Sequence, residues 1–314
     1  MVFDPPPRRP LAPANTSVDS PRRVPFPPGA SAATASSLPV RDREFEFTAA
    51  DFERIRTLIH QHAGIALSSA KQDMVYSRLA RRLRSCGDRT FAQYLARLER
   101  DRGEWETFVN SLTTNLTSFF REAHHFDILA DQLRQIGEKR TIRIWCSAAS
   151  TGEEPYSLAM TACEVFNSLT PPVQILASDI DTAVLAQGEA GVYRQDRIER
   201  LSDARKSRFL TQCSGAQAGM FAIRPELRRL VSFRRINLLE AMWPVQGPLD
   251  AIFCRNVMIY FDKPTQYGIL KRFMPLLRPD GQLFAGHSES FMHAADLVRS
   301  RGRTVYVRPD SPLR

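Results

Sequence analysis

Apolar residues recur at helical spacing over residues 47–135 and at strand spacing after residue 141. In FTAADFERIRTLIHQHAG (47–64), Phe52, Ile55, Leu58, Ile59 and His62 share one face, Thr48 is a candidate N-cap with Asp51 three positions on, and Gly64 closes the pattern. This predicts a capped amphipathic helix. In SSAKQDMVYSRLARRLRSCG (68–87), Val75, Leu79, Leu83 and Cys86 form an apolar stripe, Lys71, Arg78, Arg81 and Arg82 gather on another face, and Gly87 ends the run. Shorter helical patterns follow in TFAQYLARL and EWETFVNSLT. From Thr141 the β-branched runs TIRIWCSA and VQILASD flank the helix-like EEPYSLAMTACEVFNSL, and LDAIFCR, GQLFAGH and RTVYVRP supply further strands around the helix PTQYGILKRFMPLL. Strands alternating with helices predict a parallel α/β sheet. Residues 191–236 break the alternation and read as a small helix with a short antiparallel excursion inserted into the sheet domain.

Composition changes this picture at the amino terminus. Ten of the 21 prolines fall within residues 1–39, among Ser, Ala, Thr and Arg, so residues 1–43 are expected to be a disordered arm that cannot offset its ordering entropy by burial. The arm has no apolar core of a signal peptide, and no later run approaches the roughly 18 apolar residues of a membrane span. A cytoplasmic protein without direct membrane insertion is expected. The five cysteines form no CxxC pair and read as reduced core thiols. The net charge of +9 comes from two local patches, six basic against two acidic residues over 71–89 and eleven against four over 191–236. Such patches suit a specific acidic partner better than a nucleic-acid duplex.

The candidate chemistry lies at the carboxyl ends of the strands, where open parallel sheets bind ligands. After the first strand come Ala148, Ala149, Ser150, Thr151 and Gly152, small residues that permit close approach. After the second comes Asp179, placed to accept hydrogen bonds from a ribose diol. After the third come Arg255 and Asn256. The corner has one glycine where a dinucleotide fingerprint needs three, and Glu153 and Glu154 stand where a pyrophosphate would sit. Carboxylates there favour a cationic ligand. S-adenosylmethionine, an adenosine with a sulfonium and an ammonium and no phosphate, meets that requirement, which makes the expected fold a class I (Rossmann-like) methyltransferase sheet with an all-helical amino-terminal domain and a small inserted β-subdomain.

The strings LTTNLTSFFREAHHF (112–126), SAASTGEEPYSLAM (147–160), SDIDTAVLAQGEAGVY (178–193), INLL (236–239) and FCRNVMIYFDKPTQ (253–266) resemble, in order, those of the glutamate methyltransferases of methyl-accepting chemotaxis receptors. The resemblance implies transfer of a methyl group from S-adenosylmethionine to glutamates on the cytoplasmic helices of chemoreceptors, by a monomer. It divides the chain into a helical receptor-recognition domain (44–113), a linker folded over the cofactor (114–140) and a methyltransferase domain (141–314) holding the insert. By similarity Asn115, Thr117, Arg121, Glu153 (or its neighbour Glu154), Asp179, Asn237, Leu238, Arg255 and Asn256 contact the cofactor, and Arg121 and Tyr260 work at the reacting centre. Some relatives dock a receptor tail on the insert; the loop CSGAQAG lacks a glycine cluster, which favours independence of such a tail.

A carboxylate attacking a sulfonium methyl has no proton to lose, so the site must chiefly hold and align; an Arg holds a carboxylate by paired hydrogen bonds and a Tyr hydroxyl completes the clamp. An amine acceptor commonly meets an Asn/Asp-Pro-Pro-aromatic turn, which Asn256-Val257-Met258-Ile259-Tyr260 is not. Lys71, Arg78, Arg81 and Arg82 are expected to form one solvated stripe that meets acidic receptor helices. GHSES (286–290) is not a hydrolase elbow, since its last residue is Ser290. The pairs His60/His62 and His124/His125 lack the i, i+4 spacing of a helical zinc site and read as surface or boundary residues, so no metal is expected. Phe119 and Phe120, beside Arg121, are either plain core or a cover over the adenine and sulfonium.

Overall fold

The structure, a computed structural model, describes residues 43–313. The expected proline-rich arm lies outside the described residues but for Arg43. Four helices come first: α1 (Ala49–Ala63), α2 (Gln72–Cys86), α3 (Phe91–Leu98) and α4 (Arg102–Leu112). The sequence signals at their ends operate as read. The Thr48 side chain accepts from the Asp51 amide while the Asp51 carboxylate accepts from Thr48, and Gly64 and Gly87 close α1 and α2 in the left-handed conformation. Phe52, Ile55 and Ile59 of α1 meet Val75, Leu79 and Leu83 of α2 and Phe91, Tyr94 and Leu95 of α3 in one buried cluster.

After α5 (His124–Ile136) the chain alternates as β1 (Ile142–Cys146), α6 (Glu153–Val165), β2 (Val173–Asp179) and α7 (Thr182–Ala190). The insert follows with β3 (Val192–Arg194), α8 (Gln195–Ile198), α9 (Asp203–Phe209), β4 (Leu210–Gln212), β5 (Met220–Ile223) and α10 (Pro225–Arg228). The chain then continues through β6 (Val231–Arg235), β7 (Leu249–Phe253), α11 (Lys263–Phe273), β8 (Leu277–Phe284), β9 (Arg299–Ser300) and β10 (Val305–Val307). The main sheet runs β6-β2-β1-β7-β8-β10-β9. Strands β6, β2, β1, β7 and β8 are parallel, and β10 returns antiparallel along β8. Alternation along β1 splits the core between the two faces of the sheet. Ile142, Ile144 and Cys146 pack with Leu129, Leu133 and Leu158 of α5 and α6, whereas Trp145 packs with Ile269, Leu270 and Phe273 of α11.

The insert is smaller than expected. Its three-stranded sheet, β3-β5-β4, ends at Ile223, and Val231–Arg235 pairs in parallel with β2 as an edge strand of the main sheet. The basic, half-exposed residues of β6 resemble those of the insert because an edge strand needs only one apolar face, so composition does not mark the boundary between them.

Strand order reverses between β2-β1 and β7, and this switch point opens at the carboxyl ends of the three strands. The helical domain sits over it. The Ala66 amide donates to the Tyr260 carbonyl (2.8 Å), the Asn237 side chain to the His62 carbonyl (2.8 Å), and Thr113 and Asn115 both donate to Asp181 (2.8 Å each) at the start of α7. Gly64, at φ 70°, lets α1 end against the sheet domain: a Cβ there would lie 2.9 Å from the Phe261 ring and 3.0 Å from Leu239.

Candidate active site

The turn after β1 is shaped by conformations that few residues accept. Ser150 has φ 47° and Gly152 φ 95°; a Cβ on Gly152 would fall 2.7 Å from the Tyr193 hydroxyl and 2.9 Å from Gly188. The turn is held from below by Asp179, whose carboxylate accepts from the Ser150 amide (2.9 Å) and the Asp181 amide (3.1 Å). Burial pushes the Asp179 carboxyl up to about 6 despite those two donors. Its remaining lone pairs face a cleft lined by Ser147, Ala148, Ser150 and Glu154 from the first corner, Asn237 and Leu238 after β6, and Arg255, Asn256 and Tyr260 after β7. The linker closes the cleft with Asn115, Thr117 and Arg121, and the helical domain contributes Lys71 and Met74.

Every residue expected at the cofactor or the reacting centre therefore lines one cleft, except Glu153. Its side chain is fully buried on the other side of the turn, accepting from Thr151 Oγ1 (2.6 Å) and from the Arg197 guanidinium of the insert. Glu154 takes the cleft position: its carboxylate accepts from Arg255 Nη1 (2.6 Å) and the Cys146 thiol (3.2 Å). Adjacent residues in the first helical turn point about 100° apart, so only one of the two acids can face the ligand, and spacing alone could not say which. Arg255, itself buried, also donates to the Arg121 carbonyl (2.5 Å) and so locks the linker to β7. Arg121 spends one nitrogen on the Leu116 carbonyl (2.8 Å); its other guanidinium donors and the Tyr260 hydroxyl have no hydrogen-bond partner among the described residues.

Two further expectations are corrected, and one left between two alternatives is decided. The basic face of α2 is not one solvated stripe: Arg82 is paired with the buried Glu104 (2.8 and 3.1 Å), which also accepts from Tyr94 (2.8 Å), and Arg78 donates to the Thr113 carbonyl (2.5 Å) at the start of the linker. Lys71 lines the cleft with its ammonium 5.3 Å from the Tyr260 ring, which leaves Arg81 as the exposed member of the four. Phe119 is core, packed edge-on against Tyr193 at 5.1 Å, and Phe120 lies under the Arg205 guanidinium at 3.7 Å, so neither covers the cleft. His125 is fully buried rather than a boundary residue, and burial with the nearby Arg255 charge holds its imidazole at about 4.

Sequence reasoning missed Glu289, the acid inside GHSES. Buried behind the cleft, it accepts from the amides of Gly286, Asn256 (3.0 Å) and Met258 (2.7 Å) and so fixes the loop that carries Asn256 and Tyr260. Its signal in the sequence is an acid just after a buried strand, within GHSES.

A parallel sheet with its switch-point cleft, a small-residue turn after β1, an acid at the end of β2 and two acids at the start of α6 together define a class I methyltransferase. One family model, described as "CheR methyltransferase, SAM binding domain", matches residues 115–307, and a second, "CheR methyltransferase, all-alpha domain", matches residues 50–113. The chain is 54% identical over 275 residues to chemotaxis protein methyltransferase 2 of Pseudomonas aeruginosa, covering 87% of this chain and 98% of that protein. It is 51% identical over 260 residues to the chemotaxis protein methyltransferase of Escherichia coli, covering 82% of this chain and 90% of that one. The chain belongs to the CheR methyltransferase family and is an S-adenosylmethionine-dependent methyltransferase of chemotaxis. Among the described residues no helix is long and apolar enough to cross a membrane.

Proposed function

We propose that the protein methylates glutamate side chains on the cytoplasmic helices of chemoreceptors, using the cleft at the β1, β2 and β7 corners for the cofactor. The observation that carries this reading is that Arg121 and Tyr260, each with unspent donors, line the same cleft as Asp179. The residues fit S-adenosylmethionine: Asp179 has lone pairs left for a ribose diol, Glu154 and Asp179 suit a cationic ligand, and Leu238, Val257 and Phe261 offer apolar wall. The bound cofactor supplies an electrophilic methyl on a sulfonium. Arg121 orients the acceptor carboxylate by paired donation and Tyr260 closes the clamp, while no side chain need act as base. Lys71 adds positive charge at the same mouth, favouring an anionic acceptor over an amine.

Incubation of the purified chain with methyl-labelled cofactor and receptor-rich membranes tests the proposal. Base-labile label on receptor protein supports it. Label on nucleic acid, or receptor binding without label, overturns it in favour of a nucleic-acid methyltransferase or a non-catalytic adaptor. Receptor lacking its carboxyl-terminal tail is expected to remain a substrate.

A further inference from the structure

The turn between the linker and α5 carries Glu122, His124 and His125, whose carboxylate and imidazole atoms lie within 4.8 Å of one another. The His125 ring is fixed in orientation. Its Nε2 stands 2.9 Å from the carbonyl oxygen of Arg303, an atom that can only accept, so Nε2 carries the hydrogen of the neutral ring. Nδ1 is then a bare lone pair, and it faces Glu122 Oε2 at 3.6 Å. Both atoms are shut off from solvent and neither has a hydrogen-bond partner among the described residues. Oε2 has an ion-pair contact with Arg255 at 3.4 Å, which leaves the Nδ1 lone pair wholly without a partner, and an ion between the two atoms would satisfy it. A shared proton would draw the pair to about 2.7–2.9 Å. A tetrahedral ion with bonds of about 2.0–2.2 Å holds neighbouring ligand atoms about 3.4 Å apart, close to the separation observed.

We infer that Glu122, His124 and His125 form a site for a borderline divalent transition-metal ion such as Zn2+. His124, half-buried, gives the third ligand and leaves the solvent side open. The second carboxylate oxygen, Oε1, is within 3.1 Å of His287 Nδ1 and 3.4 Å of Asn256 Nδ2, outer hydrogen bonds of the kind that orient a liganding carboxylate. The Arg255 guanidinium lies 3.4 Å from Oε2, but its charge is already shared with Glu154 at 2.6 Å. The spacing is that of a turn entering a helix, which a search for i, i+4 pairs within one helix passes over.

Titration of the tag-free, chelator-treated full chain with Zn2+ by calorimetry tests the site, with Co2+ as a spectroscopic probe. One ion of micromolar affinity or tighter is expected, and Co2+ should give the visible bands of a four-coordinate ion. His124→Ala and Glu122→Gln should each weaken uptake at least about tenfold, with the metal-free melting of His124→Ala unchanged because that side chain is half-exposed. No uptake by the wild-type chain, or uptake by both variants as tight as that of the wild type, overturns the assignment.

Discussion

Asp179 tests the cofactor assignment sharply, because its burial and its ligand pull its proton affinity in opposite directions. In the uncomplexed fold burial raises the carboxyl from 3.8 to about 6. The native state then holds this proton more tightly than the unfolded chain does. Its contribution to stability therefore falls as pH rises from below about 4 to above about 6, by about 3 kcal/mol in all. A ribose diol donating two hydrogen bonds favours only the ionised form. At about 1–1.5 kcal/mol per bond over the neutral acid, it would carry the carboxyl back down to about 4. Affinity for the demethylated product S-adenosylhomocysteine should accordingly be nearly flat above about pH 7 and fall close to tenfold between about pH 7 and about pH 5, about fivefold of it below about pH 6. About half a proton should leave per molecule bound near pH 6, which calorimetry in two buffers of different ionisation enthalpy reads directly. Asp179→Asn should bind more weakly and lose both the pH dependence and the proton release. Equal affinity at about pH 5 and about pH 8, or an unchanged pH profile in the variant, would refute the placement of a ribose on this carboxylate.

Arg82→Ala leaves the buried Glu104 with only the Tyr94 hydroxyl as side-chain partner; thermal melting should show a loss on the order of 2 kcal/mol, less than for a fully buried pair because Arg82 keeps 25% of its side-chain surface. Arg81→Glu, at an exposed position of the same helix, should leave melting unchanged and slow receptor methylation most at low salt, as initial rates across a salt series will show. Arg197→Ala leaves Glu153 buried with only Thr151 as side-chain partner, so both stability and cofactor affinity should fall, the former by on the order of 3 kcal/mol as read by thermal melting. Arg121→Lys should keep the melting temperature while cutting kcat/KM for receptor at least about tenfold, because a point charge replaces paired donation.

The elements were legible because each rests on a local rule. Thr48 and Asp51 cap α1 wherever that helix sits, Gly64 and Gly87 end helices by tolerating positive φ, and the alternation of IRIWC with buried helices specifies a parallel sheet from within β1 and its neighbours. The corners were legible too, since in such a sheet the carboxyl end of each strand is known once the strand is. Placing Ser150, Asp179 and Asn256 around one cleft therefore needed only strand order. Direction and partnership across the molecule were not local. Glu153 and Glu154 are chemically equal in the sequence; the turn's φ values and Arg197, arriving from 44 residues away, send one into the interior and leave the other at the cleft. The arginines of α2 read as solvated until α4 brings Glu104 to Arg82 and the linker brings the Thr113 carbonyl to Arg78. His125 reads as a boundary residue until Phe284 of β8 packs against its ring and the Arg303 carbonyl fixes its tautomer. A side chain's rotamer and charge environment depend on atoms distant in sequence, so periodicity and capping could predict the scaffold and its corners, whereas the ion pairs and the Glu122–His125 confrontation were decided by tertiary packing alone.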